Sequence, residues 1–143
     1  MKIVDVNVLI HAINSSSPHH SACHRWLEES LNSREPFGLA WIVVLAFLRL
    51  TTTSRVMPKP LAPEQALAVV DEWLQLPGVR LVNPGPGHWD ILTELIVELG
   101  TAANLTTDAH LAALAIGHGA RLYSTDNDFS RFRRLRWVDP TRE

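Results

Sequence analysis

Four aspartates stand at positions where packing alone gives little reason for a carboxylate. Asp5 ends an apolar run that begins at Ile3, and Asp108 follows Thr106 and Thr107 at the head of an alanine-rich segment. Asp126 and Asp128 follow the segment Arg121 to Thr125, which reads as a strand. An ionised carboxylate among apolar neighbours is costly unless something positive compensates it. Each also has a local reading. Asp5 and Asp126 suit Asx turns, Asp126 and Asp128 suit a turn or helix N-cap, and Asp108 suits the positive end of a helix. As a group they suggest more. Crowded carboxylates repel one another and take up protons, and a divalent cation removes that penalty. Mg²⁺ binds through one or two carboxylates plus waters, leaving positions for a phosphate oxygen and an attacking water. It lowers the pKa of that water and stabilises charge on the departing oxygen. The chemistry such a cluster serves is phosphodiester hydrolysis.

Strands alternating with helices would bring these residues together. Lys2 to Ile10 reads as a buried strand running into a loop or helix. The polar break Asn14 to Pro18 precedes a helix over about Pro18 to Ser33, ended by Pro36 and Gly38. Phe37 to Trp41 predicts a short strand, and Ile42 to Thr52 a buried helix without a polar face. Pro63 suits the first turn of a helix over Glu64 to Leu76, which stops at Pro77-Gly78. Val79 to Val82 predicts a strand and Asn83 to Gly87 a turn. Trp89, Leu92, Leu95, Ile96 and Leu99 recur at helical spacing, closed by Gly100. A helix over Thr107 to His118, a strand over Arg121 to Thr125 and a last short strand over Leu135 to Val138 complete the pattern. The expected architecture is α/β, with helices covering both faces of a central, mostly parallel sheet in a single domain over residues 1–143. In such sheets reactive groups gather at the carboxyl ends of the strands, which predicts that the aspartates share one edge.

Composition sets outer bounds. With 143 residues, 46% apolar and 20% charged, the chain has the make-up of a soluble globular domain. A net charge of −2 argues against holding nucleic acid by overall basicity, so any RNA contact needs a local patch. The lone Cys23 permits no intramolecular disulfide and fits a reducing cytoplasm. The N-terminus is too soon interrupted by charge to read as a signal peptide, and Leu39 to Leu48 is roughly half a membrane span.

With these residues assembled, the chain resembles the PIN-domain proteins, specifically the VapC-type toxins of bacterial toxin–antitoxin pairs. The resemblance rests on Asp5-Val6-Asn7-Val8-Leu9-Ile10, on Phe47-Leu48-Arg49, on the run Asn104 to Ala115 containing Thr107-Asp108-Ala109-His110-Leu111, and on Ser124-Thr125-Asp126-Asn127-Asp128-Phe129. Order and spacing agree over essentially the whole chain. The resemblance implies a three-layer α/β/α fold and a ribonuclease that holds Mg²⁺ or Mn²⁺. It makes Asp5 and Asp108 the principal metal ligands, Asp126 a further acid of the cluster and Asp128 an accessory one. Asn7, Asn104, Arg49, Arg131 and Arg133 become candidates for substrate contact. A homodimer and a VapB-type antitoxin that blocks the site are implied as well. Relatives often carry a Glu just before the Phe-Leu-Arg stretch; here that position is Ala46, which removes one carboxylate.

Other readings compete. A catalytically weak PIN scaffold that binds RNA or a protein partner would accommodate Ala46. A haloacid-dehalogenase-type phosphatase would want an aspartate where Asn7 stands, and a receiver domain a lysine late in the chain, yet the only lysines are Lys2 and Lys59. His19, His20, Cys23 and His24 raise the possibility of zinc, but no second ligand pair follows at finger-like spacing. They read instead as the wet face of a helix, with His20 near the mouth of the site. His110, two residues past Asp108, should point away from it. The run Arg131, Arg133, Arg134 and Arg136 reads equally as a solvated edge or as a contact for phosphates or an acidic partner. Of the five tryptophans, most are expected in the core and one or two at an interface.

Overall fold

The computed structural model describes residues 1–142. The opening apolar run divides at Asp5: β1 takes only Lys2–Val4, and α1 takes Val6–Ile13. The division is chemical, since the Asp5 carboxylate accepts the Val6 amide at 2.8 Å and caps the helix. Next come α2 (His20–Leu31), β2 (Phe37–Ala40), α3 (Trp41–Thr51), α4 (Pro63–Leu74, with Pro63 at its first turn) and β3 (Val79–Val82). They are followed by α5 (His88–Leu99), α6 (Thr106–Gly117), β4 (Arg121–Tyr123) and β5 (Trp137–Val138). The last strand begins two residues later than expected. Gly100 closes α5 with φ +74, a conformation that few other residues adopt without strain.

The five strands form one sheet in the order β3-β2-β1-β4-β5, and every pairing is parallel. Helices cover both of its faces in three layers. Parallel neighbours need crossovers, which α1–α2, α3–α4 and α5–α6 supply. The first two crossovers carry the chain outward from β1 to β3, and the third returns it to the other side of β1, so the order reverses between β1 and β4. In open parallel sheets that reversal opens a crevice at the carboxyl ends of the strands. Asp5 follows β1 and Ser124-Thr125-Asp126 follow β4, so the aspartates meet at the reversal.

The sheet interior is apolar on both sides, as parallel strands require. Ile3, Val4, Leu39, Leu122 and Phe47 are fully buried. Gly38 keeps β2 close to its neighbours, because a Cβ there would lie 3.1 Å from both Ile3 and Val82. One expectation fails. The α3 helix is apolar all round, and such helices are normally enclosed, yet Trp41 and Leu45 are 50% and 59% exposed. Its inner face, with Val43, Val44 and Phe47, packs in the core, while its outer face looks onto the crevice and solvent. Trp26 and Trp73 are core residues, whereas Trp89 on α5 is 75% exposed. No described helix is long and apolar enough to cross a membrane.

Candidate metal centre

Asp108, Asp126 and Asp128 each place a carboxylate oxygen within 4.8 Å of the others. Three local structures bring them there. The first turn of α6 presents Asp108. Asp126 caps the 3₁₀ segment Asn127–Arg131 by accepting the Asp128 amide at 2.9 Å, and that turn points Asp128 back toward the group. The local roles anticipated for these residues are therefore real, and they coexist with convergence.

Asp5 lies outside the tight trio but beside it. It lines one cavity together with Asp108, and its charge acts on Asp108. Its carboxylate is held from three directions: Oδ1 by the Val6 amide, and Oδ2 by the Ser124 hydroxyl at 2.7 Å and the Asn7 amide at 3.0 Å. Burial nonetheless raises its pKa, against those three donors and with help from Asp126. A carboxylate has about four acceptor sites, so one remains for a cation. Asp128 shares the tight trio with Asp108 and Asp126, and Asp5, beside the trio, is the most tightly held of the four acids.

Asp108 is the least compensated. No described residue donates a hydrogen bond to it, and burial, followed by the charges of Asp126, Asp5 and Asp128, pushes its pKa up to about 6. A carboxylate with that environment fits a divalent cation, whose charge offsets the mutual repulsion and whose coordination supplies the missing partner. All four candidate ligands are oxygen donors, the set that hard cations such as Mg²⁺ and Mn²⁺ prefer.

The surrounding polar residues divide into holders and free groups. Asn7 has both ends of its amide occupied: Nδ2 donates to Asp5 and to Ser124 Oγ, and Oδ1 accepts the Thr125 amide. Arg49 lines the cavity shared by Asp5 and Asp108 and forms no ion pair among the described residues. Arg131 sits 3.8 Å from Asp128, with both side chains about half exposed. Arg133 is exposed and unpaired among the described residues, while Arg134 binds Glu94 at 2.6 Å and Arg136 the Gly119 carbonyl. The arginine run is thus partly structural. Asn104 is exposed in the 3₁₀ turn Ala103–Leu105 and does not line the cavity.

Ser124 is the residue that sequence reasoning passed over. Fully buried, it donates to Asp5 and accepts from Asn7 and from the Asp126 amide at 3.0 Å. The Trp137 indole donates to its carbonyl. One hydroxyl thereby ties the ends of β1 and β4 and the start of α1 into a single knot. In the sequence it stands only as the first residue of the Ser124-Thr125-Asp126-Asn127-Asp128-Phe129 motif, with no role of its own assigned.

The histidines lie elsewhere. His110 faces away from the acids, its Nδ1 3.0 Å from Nε2 of His88 on α5. His20 does not reach the site mouth; its Nδ1 contacts the His11 carbonyl at 3.0 Å and its ring stacks on His24.

Comparison with known proteins gives the family. The PIN domain family matches residues 2–135. Ribonuclease VapC37 of Mycobacterium tuberculosis is 48% identical over 140 residues, spanning 98% of this chain and 97% of that protein. Ribonuclease VapC33 of the same organism is 43% identical over the full length of both. Among solved structures, M. tuberculosis VapC20, described as a sarcin–ricin-loop-cleaving toxin, superposes with a TM-score of 0.69 at 18% identity, covering 95% of this chain and 98% of that one. The VapBC2 complex of Rickettsia felis bound to promoter DNA gives the same TM-score and identity, with 96% of each chain covered. At that identity the structures attest to the fold, and the sequence relatives attest to the kinship. The chain belongs to the PIN-domain family, among relatives named as VapC ribonucleases.

Proposed function

We propose that this chain is the toxin of a toxin–antitoxin pair, a single-domain endoribonuclease that hydrolyses RNA phosphodiester bonds with Mg²⁺ or Mn²⁺ held by Asp5, Asp108, Asp126 and Asp128. The observation that carries the reading is Asp108, half-buried, without a donor among the described residues and pressed by three other acids. When bound, the cation activates a water and stabilises charge on the phosphate and the departing oxygen.

The chain's own residues do the rest. Ser124 and Asn7 orient Asp5, and the capped turn at Asp126 orients Asp128. Arg49, which lines the cavity, and the exposed Arg133, both unpaired among the described residues, would meet RNA phosphates, and Arg131 would join them on release from Asp128. Asn7 acts by holding Asp5, and Asn104 contacts RNA at a distance from the cleft. The names of the relatives and structural neighbours support a VapB-type antitoxin as protein partner, and a homodimer as the toxin's own assembly. The lone, buried Cys23 suits the reducing cytoplasm where those partners would meet it.

The test is cleavage of structured RNA by the purified protein with Mg²⁺, with EDTA, and as Asp5→Asn. Cutting that requires metal and disappears in the variant supports the reading. Equal cutting in all three arms would expose a contaminant. RNA binding without any cutting would favour the scaffold reading that Ala46 allows, since that residue lines the cavity without contributing a carboxylate.

A further inference from the structure

The geometry points to the cavity beside the acids as a pocket for one unstacked nucleobase next to the scissile phosphate, kept open by Ala46. This rests on the ribonuclease reading above and specifies what that site grips. The cavity measures about 410 Å³, within the range of roughly 300–1,000 Å³ typical of sites that enclose small ligands. Asp5 and Asp108 both line it. A face of α3 lines it too: Ile42, Leu45, Ala46 and Arg49 fall at positions i, i+3, i+4 and i+7, and all four border the cavity. That stripe accounts for the exposure of Leu45 on an otherwise apolar helix. Val6 and Leu111 add apolar surface between the acids and α3.

The ligand suggested by this combination has a charged part and a flat, poorly hydrated part. A phosphate at the acids, with its cation, would place the adjoining ribose and base against Ile42, Leu45 and Ala46. Arg49 at the end of the stripe would meet the next phosphate. Few polar side chains line the wall, so it offers burial rather than base-edge pairing, and it selects for a base free to leave its stack. A paired, stacked base cannot enter; a base in a loop or single strand can, because it is already free of its stack. Ala46 bears on the room available, because it lines the cavity with the smallest side chain of the stripe and a longer one there would take up part of that volume.

The test uses an RNA oligonucleotide with its cleavage site mapped, prepared intact and with a single abasic ribose at each nucleotide flanking the cut. One abasic position should lower kcat/KM roughly ten- to a hundredfold, the range associated with losing one base contact. Ala46→Leu should slow cutting of the intact RNA by a similar factor and have little further effect on that abasic RNA, the signature of two changes removing one interaction. The thermal shift produced by Mg²⁺ should be the same in Ala46→Leu as in the parent, showing that the acids are undisturbed. Intact and abasic RNAs cut equally at every flanking position would overturn the base pocket and leave the nuclease standing. Failure of the parent protein to cut any RNA would bring down the nuclease reading and this inference together. If Ala46→Leu cut normally but lost affinity for the antitoxin, the pocket would belong to the protein partner and the base assignment would be wrong.

Discussion

The carboxylates at the ends of β1 and β4 and the histidines around α2 are both gatherings of metal-ligating residue types, and they differ in what their donor atoms already hold. Asp5, Asp108, Asp126 and Asp128 come from three separate parts of the chain, and Asp108 has no described hydrogen-bond donor at all. The histidines come from one stretch of sequence, and a nitrogen of each of His11 and His20 is engaged locally. His11 Nδ1 pairs with Ser17 Oγ at 2.6 Å and His20 Nδ1 with the His11 carbonyl, while His20 and His24 stack at 5.4 Å. Cys23, between them, is buried, and burial followed by the charge of Asp139 pushes its thiol up to about 11, far from a ligating thiolate. Close spacing along one helix yields a surface of histidines; a cation site needs donors brought in from different elements with lone pairs left over.

Asp108→Asn breaks this contrast most directly. Cleavage should fall by at least about a hundredfold, in keeping with the loss of one electrostatic contact at a reacting centre. The same variant removes a repelled charge, so without metal its melting temperature at pH 7.5 should exceed that of the parent, and Mg²⁺ should no longer raise it. A variant less stable than the parent in the absence of metal would refute the repulsion argued for the acidic edge.

The pH dependence sharpens the same point. The folded Asp108 binds its proton more tightly than the unfolded chain does, with a pKa near 6 against 3.8. Its contribution to metal-free stability therefore declines as pH rises between those values, and the full penalty is present above the upper one. A divalent ion competes with that proton. Millimolar Mg²⁺ should raise the melting temperature by about 3–6 °C at pH 7.5 and by much less at pH 5. A shift of equal size at both pH values would mean that the ion binds elsewhere.

Ser124→Ala tests the knot behind Asp5. Losing its bonds to Asp5, Asn7 and the Asp126 amide should cost about 1–3 kcal/mol of stability, measured by urea unfolding. It should also weaken Mg²⁺ binding roughly ten- to a hundredfold, the usual effect of removing a group that orients a ligand. The smallest effect belongs to the other region. His24 is exposed, so His24→Ala should change stability by less than about 0.5 kcal/mol. A zinc-induced stabilisation of the parent that vanished in this variant would undo the distinction between the two regions.

Much of this was legible from residue order. Alternating apolar runs and helical spacing implied the parallel sheet, and the turn chemistry of Asp5 and Asp126 pointed to the ends of their strands. The run from Thr107 to Ala115 followed by Thr125-Asp126-Asn127-Asp128 carried the family resemblance. Less visible was the division of the first apolar run at Asp5, because Val and Ile suit a buried strand and a buried helix alike. The exposed outer face of α3 was missed for a related reason: hydrophobicity reports what a helix tends to bury, not whether a neighbour is there to cover it.

The sequence alone determined the kinds of groups available and the elements that carry them, since periodicity and capping act over a few residues. Only the tertiary structure decided that Asp128 joins the trio, that Asp5 is gripped by Ser124, that Asn104 stays outside and that Ala46 opens onto the acids. Those outcomes depend on where strand order reverses and on distances between residues as far apart as Asp5 and Ser124. Electrostatic repulsion and hydrogen bonding vary with separation in space, and chain order does not encode that separation until the sheet has formed.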